Sequence, residues 1–558
     1  MTVTEASRDV VEASGGAGAS APTPDPANPA NPQTGLAALV GSGDPRTVGK
    51  LFVGTSLLFL LVTGATGVLT NFDRAVDTTD AFLGGTANQI YSLYAVSGLF
   101  LVVLPLLIGL ATAVVPLQVG ASTVAFPRAS AAAYWTYLTA GGLIFAAYAL
   151  DGGPFGNRPD PVALFIAGFI ALLVALTIAT ISVVTTVLTL RAPGMSLRRT
   201  PLFSWSMVVA GTIWTLTLPV VAAMMLLTYV DLRYGQQFLG GANGVYDRLV
   251  WTFWQPTVYA FAVPALGIIA DIVPVFAQRR HRKHRVAMFL IGLFGALSFG
   301  AYAQLGATID GGGRPPTDWL YDGPWIVVSF VAVVPVLGLL GLWTTTLGLG
   351  RPRLRGPLLL ALPAGLLVLL GVAAGLGTSV EDLDVAGTTW MTGQANAVLI
   401  GTLLAGFAGL TFWAPKLYGK LVPEGAAGLG AVLVLLGALA YVVPDALSGV
   451  LDEARFVTDA RLGLEAVGSA DLDTVKVLNL ISAIGAAVVV AGAVVFLLAL
   501  LKPRGGVEVG DDPWNGHTLE WTTASPAPVG NFAELPEITS EAPLYDARHA
   551  AAASATEA

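Results

Sequence analysis

Twelve long apolar stretches separated by short polar loops occupy most of this 558-residue chain. A bilayer core of ~30 Å takes roughly 20 apolar residues in a helix. Stretches near 51–70, 90–119, 130–150, 161–190, 204–230, 249–278, 286–308, 324–348, 355–376, 389–414, 425–444 and 475–501 meet that length. Several exceed it, which predicts tilted helices. The pattern therefore predicts an all-α polytopic membrane protein with twelve transmembrane helices. Residues 1–45, rich in Ala, Gly, Pro and Ser, are expected to form a disordered tail. Residues 46–504 would be the membrane domain and 505–558 a C-terminal tail. No basic segment, short apolar core and cleavage site open the chain, so the first span is expected to act as an uncleaved anchor.

Composition agrees: 54% of residues are hydrophobic and 11% charged, against about 25% charged in soluble domains. Cysteine is absent, which excludes disulfides, iron–sulfur clusters and thiolate metal sites. The net charge of −8 says less than its distribution. Arg46, Lys50, Arg128, Arg191, Arg198, Arg199, the run 279–285, Arg351, Arg353, Arg355, Lys416, Lys420, Lys502 and Arg504 fall in one set of loops. Asp73, Asp77, Asp80, Asp310, Asp318, Glu381, Asp382, Asp384, Asp452 and Glu453 fall in the other set. The positive-inside rule then places both termini in the cytoplasm, and the basic run 279–285 reads as a topology anchor. Nothing in this arrangement calls for nucleic acid.

Several segments, taken in order, resemble subunit I of cytochrome c oxidase, of the haem-copper oxidase superfamily. Val115-Pro116-Leu117-Gln118-Val119-Gly120-Ala121, then Ala125-Phe126-Pro127-Arg128 and Tyr134-Trp135, are similar to the junction of its second and third helices. Leu190-Arg191-Ala192-Pro193-Gly194-Met195 and Pro201-Leu202-Phe203-Ser204-Trp205 resemble the loop between helices four and five. Trp413-Ala414-Pro415-Lys416 resembles the end of helix ten. Pro513-Trp514, Thr518-Leu519-Glu520-Trp521-Thr522 and Ser525-Pro526 resemble the bacterial C-terminus.

That family holds two haems and one copper with six histidines. This chain has four histidines, His281, His284, His517 and His549, none within a predicted span core. By the resemblance the haem-ligand positions are Tyr94, Gln394 and Asn396. The copper-ligand positions are Gln255, Gln304 and Leu305. The family's tyrosine beside copper is retained as Tyr259. The proton-path positions are Thr123, Ser130, Thr257 and Leu339 in place of titratable or polar family residues. A histidine–aspartate pair becomes Ala386-Gly387, and the propionate-facing arginines reduce to Arg455.

Ligand chemistry points the same way. Amides bind copper poorly beside imidazole or sulfur. Tyrosine can hold haem iron, but Asn396 opposite it would be a weak axial ligand. Tyr94, Gln255, Gln304, Gln394 and Asn396 are therefore expected to bond between helices, each worth ~0.6–2 kcal/mol. Methionines such as Met195 are expected to pack. No Asp, Glu, Lys or Arg stands mid-span. Asp271 comes nearest, and it is expected to be a helix-end carboxylate paired with the basic loop. Missing macrocycles would leave voids. Trp254 and Leu305 would fill space while Ala395 and Ala397 open it.

The expected function is that of a cofactor-free pseudoenzyme, a structural or regulatory partner in a respiratory complex. Its partners would be other oxidase subunits or assembly factors, a histidine-bearing subunit I among the candidates, together with lipid. The alternatives are a terminal oxidase passing electrons from cytochrome c to oxygen, and a lipid-, quinone- or small-solute-binding protein or transporter using the vacated cavity.

Overall fold

In the computed structural model, description extends over residues 40–75, 87–154, 156–235, 245–281, 283–298, 330–378, 387–454, 471–501 and 509–557, with a few isolated positions between. For 245–258 and 551–557 it covers the backbone alone. The described residues from 43 onward form one compact unit.

The apolar stretches are helical. They are α1 (Pro45–Ala75), α2 (Ala87–Val96), α3 (Leu104–Val119), α4 (Pro127–Ala149), α5 (Pro159–Thr189), α6 (Leu202–Tyr234) and α7 (Val245–Phe276). They continue with α8 (His284–Leu297), α9 (Val333–Leu349), α10 (Gly356–Gly377), α11 (Thr389–Tyr418), α12 (Glu424–Val450) and α13 (Leu472–Leu501). A C-terminal helix, α14, covers Pro543–Glu557. Between α2 and α3 the chain stays helical through a π-helical stretch, Ser97–Val103, so one span runs Gln89–Val119. Local chemistry sets the ends. Proline starts α4 and α5, where a missing N–H costs nothing. Gly120 and Gly419 close α3 and α11 at φ 74° and 63°, a conformation that penalises a Cβ.

Among the described residues, nine helices are long and apolar enough to cross a membrane. The other three predicted spans fall on α4 and on the shorter α8 and α9. Three spans form the centre: Gln89–Val119, the part of α7 from Tyr259 onward, and α11 are buried along almost their whole length. Neighbours in sequence pack side by side around them, and α13 returns against α1. Close approach uses glycine: a Cβ on Gly49 of α1 would stand 2.5 Å from the Gly109 carbonyl oxygen of α3.

The segment after α13 lies against the basic end of the bundle. Leu519 and Ile538 pack with Ala192 and Met195, which fulfils the packing expectation for Met195. Asn531 Nδ2 donates to the Ala121 carbonyl at 2.8 Å, and Arg199 to the Ile538 carbonyl at 3.0 Å. Trp521 is 2% exposed and meets Phe412 edge-on, with ring centroids 5.1 Å apart.

Candidate functional site: two tyrosine–amide pairs and a buried carboxylate cluster

Helix α11 carries two amides toward two tyrosines. Gln394 and Asn396 are both buried. Gln394 Nε2 donates to the Tyr259 hydroxyl of α7 at 2.8 Å. The Tyr94 hydroxyl of α2 donates to Asn396 Oδ1 at 3.0 Å. These bonds join the three central spans, as interhelical amide bonding predicts.

The second pair bears on the haem question. Tyr94 and Asn396 are the positions that the resemblance assigns to opposed axial ligands. A metal–nitrogen bond is ~2 Å, so opposed donors stand roughly 4 Å apart with the metal between them. At 3.0 Å, with a hydrogen bond joining them, these two side chains do not fit an axial pair. The Tyr94 ring also rests on α1, where a Cβ at Gly67 would meet it at 2.7 Å. What remains beside them is a cavity of about 140 Å³, lined by Tyr94, Asn396, Ala395, Leu399, Tyr441 and other residues, mostly apolar. An engineered apolar cavity of about 150 Å³ holds benzene. A macrocycle is several times larger. Ala395 thus opens space as expected, whereas Ala397 is fully buried. Asn396 Nδ2 is buried without a hydrogen-bond partner among the described residues.

The remaining predicted positions divide. Thr123 is half-buried in the loop after α3, Ser130 is 1% exposed in α4, and Leu339 is fully buried in α9. Among the described residues, none of these three lines the cavity or bonds to the tyrosine–amide pairs. Gln255, Thr257 and Trp254 belong to the part of α7 whose side chains lie outside the described residues. Gln304, Leu305, Ala386 and Arg455 also lie outside them, so the copper-ligand positions have no described geometry.

Asp271 corrects an expectation. Among the described residues it makes no ion pair with the basic loop. Its carboxylate accepts the Leu202 and Phe203 backbone N–H groups at 2.9 and 3.1 Å. These are among the orphan donors at the start of α6, where the helix dipole also favours a negative charge. Gln118 Nε2 donates to Asp271 Oδ2 at 2.9 Å and to Glu520 Oε1 at 3.2 Å. Ser204 donates to Gln118 Oε1 at 2.7 Å, and Trp413 Nε1 reaches Glu520 Oε1 at 3.2 Å. Burial pushes the Glu520 carboxyl above the usual range, with the Thr518, Trp413 and Gln118 contacts opposing it. Close by, the fully buried Lys416 donates to the Asp511 carbonyl at 2.8 Å and to that of Thr523, and sits 5.3 Å from the Trp521 ring centre.

A second ionic cluster, also missed by sequence reasoning, lies where α1, α12 and α13 meet. Arg74 binds Asp445 at 2.8 Å, Glu453 at 3.2 Å and Asn479 at 2.6 Å. Glu453, counted among loop acids by its position in sequence, is 2% exposed. The usable signal was a lone arginine at an otherwise acidic end of the first span. For Glu520 it was a carboxylate between Leu519 and Trp521.

A model of the cytochrome c and quinol oxidase polypeptide I family matches residues 47–488. The chain belongs to that family. Among its relatives, a putative cytochrome c oxidase subunit 1-beta of Streptomyces coelicolor is 29% identical over 529 residues, covering 91% of this chain and 89% of that protein. Cytochrome c oxidase subunit 1 of Bacillus subtilis is 28% identical over 536 residues, covering 92% and 84%. A heme-copper terminal oxidase dimer solved by cryo-EM shares the fold, with TM-score 0.66, 17% identity and 87% and 88% coverage. Family membership and nine long apolar helices make the chain a bacterial plasma-membrane protein of subunit I type.

Proposed function

We propose that this chain is a cofactor-free member of the subunit I family, a structural or regulatory partner in a respiratory membrane complex. One observation carries the reading: the 3.0 Å hydrogen bond between Tyr94 and Asn396, which occupies the line an axial ligand pair would need. The Gln394–Tyr259 bond supports it, because it engages the third haem-ligand position with the tyrosine that the family keeps beside copper. Under this reading all six metal-ligand positions, Gln255, Gln304 and Leu305 included, are non-ligating. The proton-path positions Thr123, Ser130, Thr257 and Leu339 are likewise silent. The bundle crosses the membrane twelve times with both termini in the cytoplasm. Residues 1–45 and 505–558 lie outside the membrane domain of 46–504. Partners are other oxidase subunits or assembly factors, with a histidine-bearing subunit I as the first candidate.

The test is the absorbance spectrum of the purified chain together with copper by elemental analysis. The expected result is no haem band and no copper above background. Haem bands with stoichiometric copper would replace this reading with the terminal-oxidase one. Affinity purification from native membranes is expected to bring oxidase subunits with the chain.

One observation favours a second reading, in which the cavity binds a small apolar lipid- or quinone-like molecule. The unpartnered Asn396 Nδ2 in an apolar wall offers one hydrogen bond to such a ligand's acceptor oxygen. Extraction of the purified protein into organic solvent, followed by mass spectrometry, tests it: a stoichiometric ligand lost in Asn396→Leu is expected.

A further inference from the structure

The basic loop after α7 does more than decorate a surface. Arg279 Nη1 donates to the Leu349 carbonyl at the end of α9 at 2.7 Å. The Arg351 and Arg353 backbone N–H groups bond to the Ala277 and Phe276 carbonyls at 3.0 and 2.8 Å. These bonds fix the loop beside α9 and leave a crevice of about 570 Å³. Its mouth carries Arg279, Arg280 and Lys283; its wall is a face of α9 including Gly341, Leu342 and Thr345. The wall is open at Gly341, where a Cβ would meet nothing within 4 Å.

Charge at the mouth is not cancelled. Arg280 is committed to Glu541 and Asp546 at 2.7 and 3.0 Å. Lys283 is exposed and has no ion-pair partner among the described residues. His281 lines the crevice at 7% exposure, and neither of its ring nitrogens has a hydrogen-bond partner among the described residues. A buried imidazole N–H without an acceptor is costly. A ligand oxygen accepting from that N–H removes the cost at one of the two ring nitrogens.

We infer that this crevice is a binding site for the headgroup of an anionic phospholipid, with the phosphate at Lys283, Arg279 and His281 and an acyl chain along the open face of α9 at Gly341 and Leu342. A basic mouth beside a face of the apolar helix α9 fits a lipid better than a free phosphate, which has no use for that face. The identity of the family leaves the inference untouched, since no metal-ligand position takes part. It rests on the proposed membrane orientation only for which leaflet supplies the lipid.

Native mass spectrometry of the full chain, loaded from mixed phosphatidylglycerol and phosphatidylcholine micelles, tests it. Tight retention of about one phosphatidylglycerol per chain is expected. Lys283→Gln, an exposed change compatible with folding, is expected to weaken retention about fivefold, the weight of one basic residue near a headgroup. Arg355→Gln on the same face, where Arg355 pairs with Glu424 at 2.9 Å, is expected to change nothing. Equal losses in both variants would reduce the effect to general surface charge and overturn the site. Unchanged retention in Lys283→Gln, or competition by soluble glycerol phosphate as strong as by the lipid, would overturn it as well.

Discussion

The two ends of α11 have had different fates. At Trp413 and Lys416 the side chains are locked into a polar cluster that reaches α3, α7 and the C-terminal segment. At Gln394 and Asn396, two turns from the start of the same helix, each amide meets one tyrosine beside an apolar cavity. The family-like motifs concentrate at the first end and the departures at the second. The difference teaches that motif survival needs no partner protein to explain it. Gln118, Ala192, Met195, Trp413, Lys416, Leu519, Glu520 and Trp521 hold one another within the chain. Under the proposed cofactor-free reading a metal-ligand position makes no such demand, and a pair of side chains that bond each other can serve the fold there.

The comparison breaks most visibly if the clustered end proves soft. Trp521→Ala removes a buried ring that packs on Phe412 and lies beside Lys416. A loss of about 3–5 kcal/mol is expected, read as a lower melting midpoint in detergent and as rapid proteolysis after α13. Survival of the segment's protection would mean that the clamp holds without its anchor. Next in size is Asp271→Ala, which leaves two backbone donors of α6 without their acceptor and the Gln118 amide with Glu520 alone. A cost of about 2–3 kcal/mol is expected. Asp271→Asn keeps an acceptor oxygen and is expected to lose about half as much. Equal losses from both would assign the effect to charge rather than to capping.

A third probe uses acid. His517 is buried, and burial, followed by the Arg548 and His549 charges, lowers its pKa from 6.5 to about 3. The folded state therefore prefers the neutral ring. Docking of the segment is undiminished above 6.5 and weakens as pH falls from 6.5 toward 3, about tenfold per unit at most. Glu520 has a raised pKa and acts in the opposite sense, since its burial disfavours the docked state once pH rises through that value. The protection of residues 511–531 against hydrogen exchange, corrected for the pH dependence of the intrinsic exchange rate, is expected to fall from pH 7 to pH 5, and His517→Gln is expected to flatten the slope. A slope unchanged in the variant would move the acid sensitivity to another group.

Much of the fold was legible because a bilayer leaves little choice. Apolar runs had to be helices, and every predicted span with described residues contains one. The sites were less legible, for reasons visible in single residues. Asp271 lay within reach of Arg279 along the sequence, and that spacing suggested an ion pair. Nothing in one dimension shows that the start of α6 sits 2.9 Å away. Glu453 looked like a loop acid because its partners, Arg74 and Asn479, belong to α1 and α13. Tyr94 and Asn396 could be located as positions, but their direct bond depends on how closely α2 and α11 approach. Residue identity does not fix that distance.

The smallest expected effect bears on the cavity end. Tyr94→Phe deletes one hydroxyl and leaves Asn396 Oδ1 without its donor, while the ring keeps its place against Gly67. Bonds between helices in membranes are worth ~0.6–2 kcal/mol, so a drop in melting midpoint well below that of Trp521→Ala is expected. The double change Tyr94→Phe with Asn396→Leu sharpens the reading, because it removes both polar atoms and adds apolar volume beside the cavity of about 140 Å³. If the pair is only a mutual solution to burial, the double variant should recover most of the loss. Failure to recover, with normal solubility, would mean that the pair has a partner beyond itself. The cavity would then have to be treated as a site rather than as a remnant.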